Sequence, residues 1–155
     1  MLSATSEYAL RALSRLAQLS RGEAILGRDL SKSTGVPQQY LAKIMLSLRN
    51  AGLVLATRGT GGGYMLLRPA EAIHLIDVVS LFEGPSTWPH CLLRGARTCN
   101  PNKPCTAHAH WGKVRDGYLE FLEHTTLIDI TENTAHETQV TRPLRKKRAR
   151  PSTNC

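Results

Sequence analysis

Residues 35–67, "GVPQQYLAKIMLSLRNAGLVLATRGTGGGYMLL", constrain the fold more than any other stretch. Leu41, Ile44, Met45 and Leu48 recur at i, i+3, i+4 and i+7, which places one apolar face on a helix. Pro37 suits the first turn of that helix, where a missing N–H costs nothing, and Gly52 ends it. Two short runs follow, 53–58 and 64–67, around a turn that holds Gly59, Gly61, Gly62 and Gly63. That pattern predicts a β-hairpin with a flexible tip.

Upstream, Ala9, Leu10, Leu13, Leu16 and Ala17 give residues 5–20 an apolar helical face. "RGEAILG" interrupts. Leu26 and Leu30 then belong to a short second helix closed by "SKSTG", with Gly35 supplying the turn. Three short helices and a hairpin are the layout of a winged helix-turn-helix. The tight turn at Gly35 is the spacing that a DNA-reading helix pair needs.

Leu75, Val78, Val79 and Phe82 predict a fourth helix, stopped by Gly84 and Pro85. A fifth carries Trp111, Val114, Tyr118, Phe121 and Leu122 in steps of three and four, a stripe that suits a coiled-coil-like seam with a second subunit or packing on the chain's own core. Gly112 and Gly117 weaken this helix, so packing must support it. Thr126 and Asp129 resemble a capping box that opens a last short helix. The expected fold is mainly α: a winged helix-turn-helix domain over 1–84, a cysteine-rich loop over 85–110, a long dimerisation helix with a terminal short helix over 111–137, and a disordered basic tail over 138–155.

No apolar run approaches the roughly 18–20 residues that span a bilayer, and the N-terminus lacks a basic n-region and a cleavage site, so the expectation is a cytoplasmic protein with no membrane partner. The net charge of +8 is unevenly placed. Arg142, Arg145, Lys146, Lys147, Arg148 and Arg150 lie in a C-terminal stretch without acids, and the rest of the chain holds 14 basic against 12 acidic residues. The tail reads as a solvated basic arm or as a sequence-independent phosphate contact.

Residues 91–110, "CLLRGARTCNPNKPCTAHAH", hold three of the four cysteines and two of the six histidines. Three clustered thiols leave one unpaired, which argues against a disulfide framework. A metal is the better reading. Cys91, Cys99, Cys105 and His108 would form a Cys3His set, with His108 three residues after Cys105 and so on one helix face if the fifth helix begins there. Zinc accepts that set, although structural zinc sites usually pair their cysteines two to four residues apart; iron–sulfur clusters tolerate wider spacing. Chemistry alone leaves zinc and a cluster open. A Cys–His pair could also serve a thiol enzyme, but no phosphate loop joins a strand to a helix and no paired carboxylates occur. An enzyme with a small-molecule substrate is therefore not expected.

"EYALRAL", "GVPQQYLAKIMLSLRNAGLV", "RGTGGGYML" and "CLLRGARTCNPNKPCTAHAHW" together resemble the IscR/NsrR-type bacterial transcription regulators, over about residues 1–131. The resemblance implies a homodimeric winged-helix repressor or activator whose iron–sulfur cluster, by its state or its loss, changes which promoters are bound. Cys91, Cys99 and Cys105 match the three thiolate ligands. His108 matches the histidine ligand of the branch that holds a 2Fe–2S cluster. Glu7 matches the acidic ligand that a second branch, which senses nitric oxide, takes from the partner's first helix to hold a 4Fe–4S cluster. Both candidate fourth ligands are thus present, and 2Fe–2S with His108 is favoured, because imidazole ligation suits such centres and His108 is near in the same chain. The main alternative is a winged-helix regulator that holds zinc or no metal. The first gap between cysteines has seven residues where five are typical, and Ala42 stands where some members carry an acid.

Gln38, Gln39, Tyr40 and Lys43 fall early on the third helix, the end that enters a major groove. Glutamine can bond an adenine edge, whereas tyrosine and lysine more often hold phosphate. Arg58, on the wing, suits a narrow minor groove. The expected partner is double-stranded DNA with a pseudo-palindromic operator, bound by a homodimer.

Overall fold

The computed structural model describes residues 2–20, 22–59, 62–84 and 104–132. Six helices and one hairpin follow in the order α1 (Ala4–Ala17), α2 (Gly27–Thr34), α3 (Gln38–Asn50), β1 (Val54–Thr57), β2 (Gly63–Leu66), α4 (Leu75–Phe82), α5 (His108–His124) and α6 (Leu127–Glu132), with a 3-10 turn at Ala70–Ala72. The mainly α winged helix-turn-helix expected from the periodicities is the architecture observed.

Ser3 starts α1 by accepting a hydrogen bond from the Ser6 amide at 3.2 Å, which satisfies one otherwise orphaned helix donor. Ala9, Ala12, Leu13 and Leu16 of α1 are buried. This helix is the hub, in contact with α2, α3, α4, α6 and β2. The core around it takes Leu30, Val36, Leu41, Ile44, Met45, Leu48, Val54, Ile73 and Val78 from the winged-helix elements. It also takes Leu122 and Leu127 from the last two helices.

Pro37 is the N-cap of α3 rather than a residue of its first turn; its carbonyl accepts from the amides of Tyr40 and Leu41, both at 2.9 Å. Leu26 likewise caps α2 instead of belonging to it, and is exposed. The end of α3 follows from Gly52, whose φ of +71° lets the Leu53 amide reach the Leu48 carbonyl and its own amide reach that of Arg49, both at 3.0 Å.

The hairpin is antiparallel, pairing Val54 with Leu66 and Thr57 with Gly63. Its strands are slightly shorter or shifted relative to the runs 53–58 and 64–67. The sequence reading missed the other edge of β2. There Ile25 and Tyr64 exchange both backbone hydrogen bonds, at 3.0 and 2.8 Å, so an isolated antiparallel bridge ties the segment before α2 to the two-stranded sheet.

After α5 the chain returns to the winged-helix body. Leu75 donates to the Thr125 carbonyl at 2.9 Å, and Leu127 to that of Ile73 at 2.8 Å. The amide and hydroxyl of Thr126 both donate to Asp129, at 2.8 and 2.7 Å, as the capping pattern predicts. The Thr126 hydroxyl first, then its amide and the charge of His74, hold the Asp129 carboxyl below the usual carboxylate range, with desolvation opposing. A carboxyl depressed in the folded state stabilises above its unfolded pKa, and that contribution is lost as pH falls through the folded value. In acid titrations followed by circular dichroism, the stability gap between wild type and Asp129→Asn should therefore be widest above about pH 4 and close below it.

Candidate functional site

The turn between α2 and α3 is held from within. Gly35 takes a φ of +71°, which a side chain would strain. Val36 is buried at 1% exposure and pins the turn to the core. Ser31 donates to the Val36 carbonyl and Thr34 to the Leu30 carbonyl, each at 2.7 Å. The helix pair is thus a rigid unit, and rigidity lets a surface helix present side chains in fixed register.

From that unit Gln38, Gln39, Tyr40 and Lys43 project into solvent, Tyr40 at 54% exposure. Among the described residues no hydrogen bond or ion pair engages these four side chains. The same is true of Arg58, exposed beside Gly59, whose φ is +97°. The structure therefore places all five expected nucleic-acid contacts at the surface with their polar groups unspent. Two lie outside α3's first turn: Lys43 one turn on, and Arg58 on the wing. Helix α3 contains no acid, and Lys43 and Arg49 are its charges.

The wing is fixed by glycine at close quarters. A Cβ on Gly62 would lie 2.5 Å from the Thr57 carbonyl oxygen. On Gly63 it would lie 2.4 Å from that of Ile25. Glycine inside a strand marks a close backbone approach, and that was the available signal for the Ile25 edge.

Of the expected metal ligands, Cys91 and Cys99 lie outside the described residues, as does the basic tail. Cys105 is exposed, and its carbonyl accepts from the His108 amide at 3.0 Å, so the two residues share one turn where α5 begins. His108 is itself exposed and is the first residue of α5, three residues earlier than position 111. Among the described residues no three His, Cys, Asp or Glu side chains gather into a metal site. Glu7 stands on the exposed side of α1, ion-paired with Arg11. It borders a groove of about 460 Å³ shared with Arg15, Thr34 and Ile130.

The stripe on α5 divides. Leu122 is buried at 1% exposure in the chain's own core, and Tyr118 packs against that core. Burial first, then the charge of Glu83, raise the Tyr118 hydroxyl above its usual range. Val114 and Phe121, by contrast, are 59% and 52% exposed. Among the described residues no helix is long and apolar enough to cross a membrane.

A profile of the Rrf2 family, described as iron-dependent transcriptional regulators, matches residues 2–133. An HTH-type transcriptional regulator of Mycobacterium tuberculosis is 35% identical over 130 residues, 83% of this chain and 80% of the relative. The HTH-type transcriptional regulator IscR of Escherichia coli is 30% identical over 132 residues, 85% of this chain and 80% of that protein. Among solved structures, CymR, the global cysteine regulator of B. subtilis, superposes with a TM-score of 0.71 at 28% identity, over 86% of this chain and 97% of CymR. The IscR of T. potens superposes with a TM-score of 0.67 at 26% identity, over 92% and 93% of the two chains. These relatives regulate transcription and are not enzymes. With a rigid helix-turn-helix, a glycine-anchored wing and a family match over most of its length, this chain belongs to the Rrf2 family of DNA-binding transcriptional regulators.

Proposed function

We propose that this regulator is a homodimer that binds a pseudo-palindromic operator and carries an iron–sulfur cluster on Cys91, Cys99, Cys105 and His108. The observation that carries the reading is the turn leading into α5, where the Cys105 carbonyl accepts from the His108 amide and both residues are exposed. Thiolate and imidazole are donors that a 2Fe–2S centre accepts. The alternative, a 4Fe–4S cluster with the partner subunit's Glu7, requires that carboxylate to give up Arg11, a modest cost for an exposed pair. The nearer histidine favours 2Fe–2S. A bound cluster supplies a centre whose oxidation state and integrity respond to iron, oxygen, redox status or nitric oxide.

The chain's own residues couple the loop to the DNA face. The loop leaves from α4, which touches α1, α3 and α5. The Ser3 amide donates to Glu83 at 2.7 Å, tying the end of α4 to the start of α1. A cluster held between α4 and α5 would act on the angle between two reading heads through those helices. The exposed Val114 and Phe121 support a second copy as their cover, since apolar surface of this kind marks an interaction face.

Anaerobic purification tests the reading. A brown protein with iron and acid-labile sulfide and a 2Fe–2S Mössbauer signature supports it; a colourless protein with zinc or no metal sinks the cluster and leaves the DNA-binding regulator standing. On the DNA side, Arg58→Ala should weaken operator binding by about 1–3 kcal/mol and relax preference at the flanking A·T positions, as read by gel shift on mutated operators.

A further inference from the structure

Helix α3 fills its core slots with Leu41, Ile44, Met45 and Leu48, all buried. A fifth large apolar residue, Leu46, is 50% exposed. At about 100° per residue, the four buried positions define the inward direction, and Gln39, Lys43, Leu46 and Asn50 fall on the opposite ridge. All four are exposed. Ala42, also exposed, precedes Leu46 by one turn, so a small apolar strip runs beside the polar one. Nothing in the fold requires a leucine there, and an outward leucine gains nothing from water.

From this placement we propose that Leu46, flanked by Ala42, reads the 5-methyl group of a thymine in the operator's major groove. The inference rests on the DNA-binding reading and adds a specificity residue to it. Charge selects DNA as the occupant: the helix carries Lys43 and Arg49 and no acid, and its neighbour on the wing is Arg58. The thymine methyl is the one apolar group on a major-groove base edge, and alkyl side chains are its natural contact. Leu46 lies seven residues beyond Gln39, about 10 Å along the helix, so the thymine would sit within roughly three base pairs of the base that Gln39 faces.

The test uses the full-length protein. A duplex is first selected from a random library, and each of its thymines is then replaced singly by deoxyuridine, which lacks only the methyl. At one thymine in each half-site, deoxyuridine should weaken wild-type binding about fourfold, the factor for burying one methyl group. Leu46→Ala, which removes the contact in both half-sites, should bind the thymine duplex about sixteenfold more weakly and be indifferent to the replacement, and Leu46→Met should restore the discrimination. A matching thermal melt shows that the variants are folded. If no thymine carries a penalty, or if the penalty persists unchanged in Leu46→Ala, the proposal is overturned while sequence-specific DNA binding stands. If selection enriches no sequence, the operator reading fails and the inference with it.

Discussion

Alanine at Cys91, Cys99 or Cys105 should each leave a folded, dimeric protein that no longer retains iron and sulfide. Each thiolate is a quarter of the proposed ligand set. Loss of a group that merely orients a metal ligand already costs about 10–100-fold in affinity, so loss of the ligand costs at least that. The fold should survive because the core of the described residues is built by the six helices, the hairpin and their short connections. The exposure of Cys105 means that its replacement opens no cavity. Iron and sulfide analysis beside a thermal melt checks both halves, and full iron content in any two of the three variants would refute the ligand assignment. The fourth ligand separates in the same assay. His108→Ala should alter the spectrum and speed cluster loss, whereas Glu7→Ala should do neither; the reverse result would make a nitric-oxide sensor the better description.

The second large effect is structural. Gly63→Ala should destabilise the protein by about 2–5 kcal/mol, combining overpacking with a backbone angle that L-residues avoid. The added carbon would stand 2.4 Å from the Ile25 carbonyl oxygen and 2.6 Å from its carbon, and Gly63 has a φ of +153°. Those are backbone atoms, which cannot rotate aside. Relief would come by parting β2 from Ile25 and breaking both hydrogen bonds of the bridge. The wing would then lose its anchor, so operator affinity should fall with stability. Urea unfolding read by circular dichroism gives the first effect and gel shift the second. Gly112→Ala and Gly117→Ala are the contrast. Each lies within α5 with nothing within 4 Å of the added carbon, so each should stabilise the helix by about 0.5–1 kcal/mol. A Gly63→Ala protein as stable as wild type would show that the bridge does not hold the wing.

Local periodicity and punctuation made much of this protein legible. The steps of three and four through Leu41, Ile44, Met45 and Leu48 specified α3, because a helix buries residues that fall on one face whatever they pack against. Gly52 specified its end, because a left-handed residue there costs glycine nothing. Thr126 and Asp129 specified the start of α6 by hydrogen bonds only three residues apart. The resemblance carried by the helix-turn-helix, the wing and the cysteine loop led to the family.

What the sequence by itself could not determine were the pairings between distant segments. Ile25 and Tyr64 are joined only because α1 and α2 set the segment before α2 alongside the hairpin, and neither residue announces a partner 39 positions away. The stripe on α5 looked uniform, yet Leu122 went to the chain's own core while Val114 and Phe121 stayed outside. Periodicity defines which residues share a face but not what lies opposite, and that was decided when the Thr126–His74 bridge brought the chain back onto α4. For Leu46 the pattern had no place, since it lies outside the buried stripe. Packing of α3 against α1 turned it toward solvent, on the ridge that it shares with Gln39 and Lys43.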